Sequence, residues 1–197
     1  MITDSRDSLR SSMRILRRKL PVSVRKSLSR KAALHCHHWP VFNKAKRIGF
    51  YWPINGETSP LPIMNLARRM GKSCWLPVIR PWAVANLGFA EIGSNRRLVR
   101  HRWGFYEPRG RRLFDAGHLD MLIIPLTAFD VRGNRLGMGG GYYDRALRKL
   151  RRKKPVRVGL AFDFQQTALL MHKPWDIPLD AVLTPGGVIR CSKRRQP

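Results

Sequence analysis

Arg135-Leu136-Gly137-Met138-Gly139-Gly140-Gly141-Tyr142-Tyr143-Asp144-Arg145 places four glycines within five residues, between an apolar strand pattern and a helix pattern. The strand reads Leu119-Asp120-Met121-Leu122-Ile123-Ile124-Pro125-Leu126, and a turn at Arg132-Gly133-Asn134 follows it. Glycine reaches left-handed dihedrals without steric cost, so the backbone amides of such a loop are free to close on an anion. Strand, bare loop and helix start form the geometry of a phosphate cradle. Orphan amides and the positive end of the helix dipole face the same point. Arg135 adds fixed positive charge, and Asp144 is suited to hold Mg²⁺ against phosphates. Read without a ligand, Asp144 is a first-turn acid stabilised by the dipole.

Two familiar phosphate motifs are excluded or weakened. No Lys-Ser or Lys-Thr follows the glycines, so there is no Walker loop. Gly137 and Gly139 supply two positions of a dinucleotide fingerprint, but Tyr142 occupies the third. Asp163 lies about 20 residues on, near where a ribose-binding acid would sit. A dinucleotide-dependent oxidoreductase is therefore a weaker alternative.

Outward from the loop, helix and strand patterns alternate. Leu9, Met13, Leu16 and Leu20 recur at helical spacing over 5–20, and a second helix is expected over 22–38 after Pro21. Strands are expected at 46–52, 73–79, 87–92, 97–99, 119–126, 156–161 and 179–183. Helices are expected at 60–70, 142–152 and 164–170. This alternation predicts an α/β fold, a Rossmann-like open sheet in three layers, mainly parallel, with helices on both faces. One domain over 1–197 is expected, with a basic tail from about 186 to 197 disordered.

Composition narrows the function. The net charge is +27, from 39 Lys and Arg against 12 Asp and Glu. Arg145 to Arg157 holds eight basic residues and no acid, and Arg190, Lys193, Arg194 and Arg195 follow in the tail. Such a field attracts nucleic acid without sequence preference, which makes a nucleic-acid-binding protein the rival class. No helix-turn-helix, zinc-finger or aromatic ribonucleoprotein motif supports it. No apolar run approaches a membrane span, and no secretory leader is visible. Cys36, Cys74 and Cys191 are unpaired in spacing, pointing to a reducing cytoplasm. His35, Cys36, His37 and His38 lack the further ligands a tetrahedral metal site needs.

The glycine loop resembles the ATP loop of the 5-formyltetrahydrofolate cyclo-ligase family. Three further stretches resemble the same family, in order: Tyr51 to Thr58 (YWPINGET), Trp103 to Pro108 (WGFYEP) and Trp175 to Thr184 (WDIPLDAVLT). The resemblance spans about residues 6 to 185. It implies a monomeric, ATP- and Mg²⁺-dependent ligase acting on 5-formyltetrahydrofolate.

Residue by residue, the resemblance implies the following. Arg6 and Arg10, one helical turn apart, contact ATP phosphates together with Arg135, Leu136, Gly137, Met138, Gly139, Gly140, Gly141, Tyr142 and Tyr143. The family often has lysine where Arg6 stands. Glu57 and Trp52 hold the reduced pterin, beside Met138 to Tyr142, although Trp52 serves equally well as core. Arg135 and Asp144 are the catalytic residues, and Asp144 and Asp180 are the Mg²⁺ carboxylates. Which of Tyr142 and Tyr143 faces the ligand is left open.

Overall fold

The computed structural model of the protein describes residues 6–80, 87–93, 97–109, 112–148, 150 and 155–192. Helices α1 (Arg6–Lys19) and α2 (Val22–His37) are separated by Pro21, whose ψ of 148° interrupts the helical path. A short α3 (Pro40–Lys44) leads into β1 (Arg47–Gly49), followed by α4 (Leu61–Arg69) and the hairpin β2 (Ser73–Ile79) and β3 (Leu87–Glu91). A small ribbon, β4 (Leu98–Arg100) with β5 (Tyr106–Pro108), precedes β6 (Met121–Pro125). Then come the miniature hairpin β7 (Ala128–Phe129) and β8 (Arg135–Leu136), α5 (Tyr142–Arg148), β9 (Val156–Leu160), β10 (Ala181–Thr184) and β11 (Gly187–Arg190).

Seven strands form one sheet in the order β11-β10-β9-β6-β1-β2-β3. The five central strands are parallel, and β3 and β11 close the edges antiparallel. Side chains alternate between two apolar layers. Cys74, Leu76, Met121 and Ile123 meet Ala32, Cys36, Phe42, Ile63 and Ala67 of α2 to α4. Trp75, Leu122, Ile124 and Val182 meet Ala146 and Leu147 of α5. Burial on both faces is what makes these strands read as continuous apolar runs.

β1 pairs with β2 on one side and β6 on the other, so the chain changes its direction of travel across the sheet there. Ligands of open α/β sheets sit in the crevice outside the carboxyl ends of strands at such a point.

The expected elements lacked α3, β5, β7 and β8, and others needed correction. β1 ends at Gly49, and from Tyr51 onward the chain leaves the sheet. The helix expected over 164–170 is only a 3₁₀ turn, Asp163–Gln165. Gln165 explains the stop: its Oε1 accepts Phe162 N–H, and its Nε2 donates to the carbonyls of Leu126 and Thr127, anchoring the turn beyond β6. Gly187–Arg190, placed in a disordered tail, is the edge strand β11. α5 ends at Arg148. The rest of the expected helix at 149 and 151–152, most of the basic run (151–154) and the tail at 193–197 lie outside the described residues.

Candidate active site

A cavity of about 560 Å³ opens at the carboxyl ends of β1, β2 and β6. The hairpin β7–β8 delivers the glycine loop to it. Buried Asp130 fixes that hairpin's turn, accepting the amides of Arg132, Asn134 and Leu170 and the side-chain amide of Asn134. Gly137, Met138, Gly139, Gly140 and Gly141 all line the cavity. Among the described residues, the amides of 138–141 donate to no other group. Gly139 has φ +108°, a conformation side chains rarely adopt, and nothing lies within 4 Å of where its Cβ would stand.

Helix α1 lies along this loop. Arg10 Nε donates to the Gly137 carbonyl (3.0 Å), and Arg14 Nη2 to that of Met138 (3.4 Å). Arg6 Nη1 donates to Asp176 Oδ2 (2.8 Å) and to the Met171 carbonyl (3.0 Å). Leu9 and Met13, on the adjoining stripe, pack against Ala128, Leu136 and Leu170. Arg6 and Arg10 thereby reach the cavity wall.

Arg135 and Asp144 also line the cavity, joined at 2.6 Å between Nη2 and Oδ1. Arg135 donates as well to the carbonyl of Ile177, whose own amide donates to Asp144 Oδ1 (3.0 Å). This closed ring anchors the segment that carries Lys173, Trp175 and Asp176, which line the same cavity as Asp144. Burial opposes charge on Asp176, but the Lys173 amide and Arg6 outweigh it and hold the carboxyl below its usual range.

The far wall is aromatic. Trp52 lies against Tyr106 (4.9 Å between centroids), and Trp103 meets Tyr142 edge-on (5.8 Å). Tyr142 and Tyr143 both line the cavity, so the question of which faces it has a double answer. The floor is acidic: Glu57 is 7% exposed and accepts the Ile54 amide at 3.1 Å. Burial pushes its carboxyl up to about 7, against the pull of the Ile54 N–H, Arg17 and Arg14. The phenols of Tyr143 and Tyr51 are raised in turn, by burial first and by Glu57 second.

Two expected site residues fall elsewhere. Leu136 is buried against Ala128 and Leu170, its side chain turned from the cavity. Asp180 precedes β10 at the amino ends of the parallel strands, the opposite edge of the sheet. There Arg157 engages both its oxygens at 2.9 Å. Asp180 therefore does not line the cavity with Asp144, whereas Asp176 does. A strand-position argument would have shown this, because an acid just before a parallel strand sits at the end away from the ligand crevice. Arg14, one turn beyond Arg10, reaches the Met138 carbonyl but does not line the cavity. Asp163 accepts the Gly186 amide and does not line the cavity, which removes the acid the dinucleotide alternative required. His35 bonds the Pro185 carbonyl, and no group of three metal-ligating side chains occurs among the described residues.

The model of the 5-formyltetrahydrofolate cyclo-ligase family matches residues 2–185. The chain belongs to that family. Curated cyclo-ligase relatives include the 5-formyltetrahydrofolate cyclo-ligase of Escherichia coli K12, 37% identical, with the match covering 87% of this chain and 96% of that one. The Haemophilus influenzae cyclo-ligase is 32% identical over 93% of this chain and 99% of its own. Among solved structures, the 5,10-methenyltetrahydrofolate synthetase of Aquifex aeolicus superposes with a TM-score of 0.82 at 30% identity, over 98% of this chain and 95% of that one. The Mycoplasma pneumoniae synthetase shares the fold, with a TM-score of 0.72 at 23% identity over 92% and 99%. No helix among the described residues is long and apolar enough to cross a membrane.

Proposed function

We propose that the protein is an ATP-dependent cyclo-ligase that converts 5-formyltetrahydrofolate to 5,10-methenyltetrahydrofolate, ADP and phosphate. One observation carries this reading beyond family membership. A single cavity joins two α1 arginines, a bare glycine loop and a buried carboxylate facing an aromatic wall. That combination suits a polyanion and a flat heterocycle held side by side.

The chemistry explains the need for both. An N-formyl group is an amide, weakly electrophilic, and its oxygen is a poor leaving group. Transfer of the γ-phosphoryl group to the formyl oxygen gives an imino-phosphate and ADP. N10 of the same folate attacks the formyl carbon and gives up its proton, and the C–O bond breaks with release of phosphate. No protein nucleophile is required. Catalysis is positioning and charge neutralisation.

Arg6, Arg10, Arg135 and the amides of residues 137–141 hold the phosphates and meet the charge spreading over the transferring group. Glu57 accepts the paired N–H donors on the pterin edge as a carboxylate accepts a guanidinium. Trp52 forms the face against which the ring lies. Asp144 and Asp176, two carboxylates on one cavity beside the arginines, fit Mg²⁺, which takes one or two carboxylates plus phosphate oxygens. When bound, that ion would neutralise β- and γ-phosphate charge. The enzyme acts as a monomer in the cytoplasm.

Purified protein given 5-formyltetrahydrofolate, ATP and Mg²⁺ gains the near-ultraviolet absorbance of the methenyl product. Folded protein with no such gain would overturn the assignment. Charge reversal at Arg151, Arg152 and Lys153 leaves turnover intact, whereas a nucleic-acid-binding protein would lose its function there.

A further inference from the structure

One buried cation of α1 is left without a role by the reaction above. Arg17, in the last turn of α1, is 1% exposed. Its Nη1 donates to the Leu126 carbonyl at 3.3 Å, while Nε and Nη2 have no hydrogen-bond partner among the described residues. A guanidinium enclosed in this way is costly unless a carboxylate balances it. Arg17 is not part of the cavity lining, so it meets no solvent or ligand there.

The carboxylate whose charge favours that of Arg17 is Glu57. Burial lowers the Arg17 pKa, and Glu57 is the largest influence that raises it again. The main chain ties the two together. Asn55 and Gly56 both have positive φ (52° and 73°), and this tight turn rests on α1. A Cβ on Gly56 would stand 3.3 Å from the Arg17 carbonyl oxygen. Other charges are few: Arg14 and Arg18 of α1 disfavour the charge on Arg17, Arg14 favours the charge on Glu57, and Tyr51 and Tyr143 face Glu57 as neutral phenols.

We propose that Arg17 is a positioning residue that keeps the Glu57 carboxylate seated and anionic, ready to receive the pterin edge of the folate. The proposal rests on the function read above. It gives α1 two tasks: its first turns present Arg6 and Arg10 to phosphates, and its last turn charges the folate floor. Arg17 acts wholly through Glu57, so its loss is a loss of folate affinity and not of nucleotide affinity.

The test compares R17M, which keeps the bulk without the charge, with R17K, which keeps the charge. R17M is expected to raise the KM for 5-formyltetrahydrofolate roughly tenfold or more at pH 7.5, with the KM for ATP changed by less than about twofold. That loss should shrink toward pH 9, where Glu57 ionises without help, and R17K should recover most of it. Carboxyl ¹³C titration of glutamate-labelled protein should show the Glu57 transition moved to higher pH in R17M. Folded R17M with wild-type folate KM across pH, or with both KM values raised in parallel, overturns the proposal. Should R17M not fold, the double variant R17M/E57Q removes both charges. Its folate KM should equal that of E57Q alone, and a further tenfold loss overturns the proposal. Wild-type protein that binds ATP but no folate removes the functional reading and this proposal together. A folate-binding wild type with an unaffected R17M removes the proposal alone.

Discussion

Asp144 accepts the amide hydrogen of Ile177 at 3.0 Å, which fixes the neighbouring Asp176 on the same cavity. Thirty-three residues separate the bonded pair in the chain. The contact converts an irregular segment into a wall of the cavity and puts Asp176, not Asp180, on that wall.

Asp176→Asn should therefore lower kcat/KM by about 10²-fold or more, as removal of a group meeting transition-state charge does. Asp180→Asn should leave both KM values unchanged and cost about 1–3 kcal/mol of stability, because it loosens the Arg157 pair at the other end of the sheet. Steady-state kinetics and urea melts on the two variants check the contrast. Equal kinetic damage from both would refute it.

If Glu57 receives the pterin edge as proposed, folate binding is pH-dependent. Burial raises its carboxyl to about 7, and the proposed role requires the ionised form. The KM for 5-formyltetrahydrofolate should fall as pH rises from 6 to 8, while the KM for ATP changes little over the same range. Kinetics in a constant-ionic-strength buffer series read this directly, and Glu57→Gln should abolish the trend along with most of the affinity.

The same group works against the unliganded fold. Its pKa is about 7 in the folded state, above the ordinary carboxyl value of 4.5. Its favourable contribution is thus complete below pH 4.5 and is lost as pH rises through about 7. Over that window stability should fall by on the order of 3 kcal/mol through this residue. Urea unfolding of ligand-free wild type and Glu57→Gln at pH 5 and pH 8 measures it, and the variant should lack this component.

Gly139→Ala isolates backbone strain. Space for the methyl group is open, so the cost of about 1–3 kcal/mol comes from the dihedral alone. A shift of the loop to relieve that strain should raise the KM for ATP. Unchanged ATP kinetics in a folded variant would show that the loop does not meet the nucleotide.

Much of the architecture was legible because it is periodic. Leu9 and Met13 mark the inner stripe of α1, and the apolar run around Ile123 marks a strand buried on both faces. The glycine loop was legible because its residue types answer a backbone requirement. Asp176 was not, because its place depends on Arg6, Lys173 and the Arg135–Asp144 pair, contacts with no local pattern. Arg17 was hidden for another reason: periodicity assigns a basic residue on a charged helix to water, and nothing in the neighbouring letters reveals a buried cation. Val188 and Ile189 in β11 were masked by the basic residues that follow them.

The ion pairs Arg47–Asp120 and Arg157–Asp180 each bind adjacent parallel strands at their starting ends, while every group assigned to chemistry gathers at their finishing ends. A broad substitution survey should split along that axis. Damage at one margin should appear as lower yield of soluble material with normal specific activity, and damage at the other as full yield of inert protein.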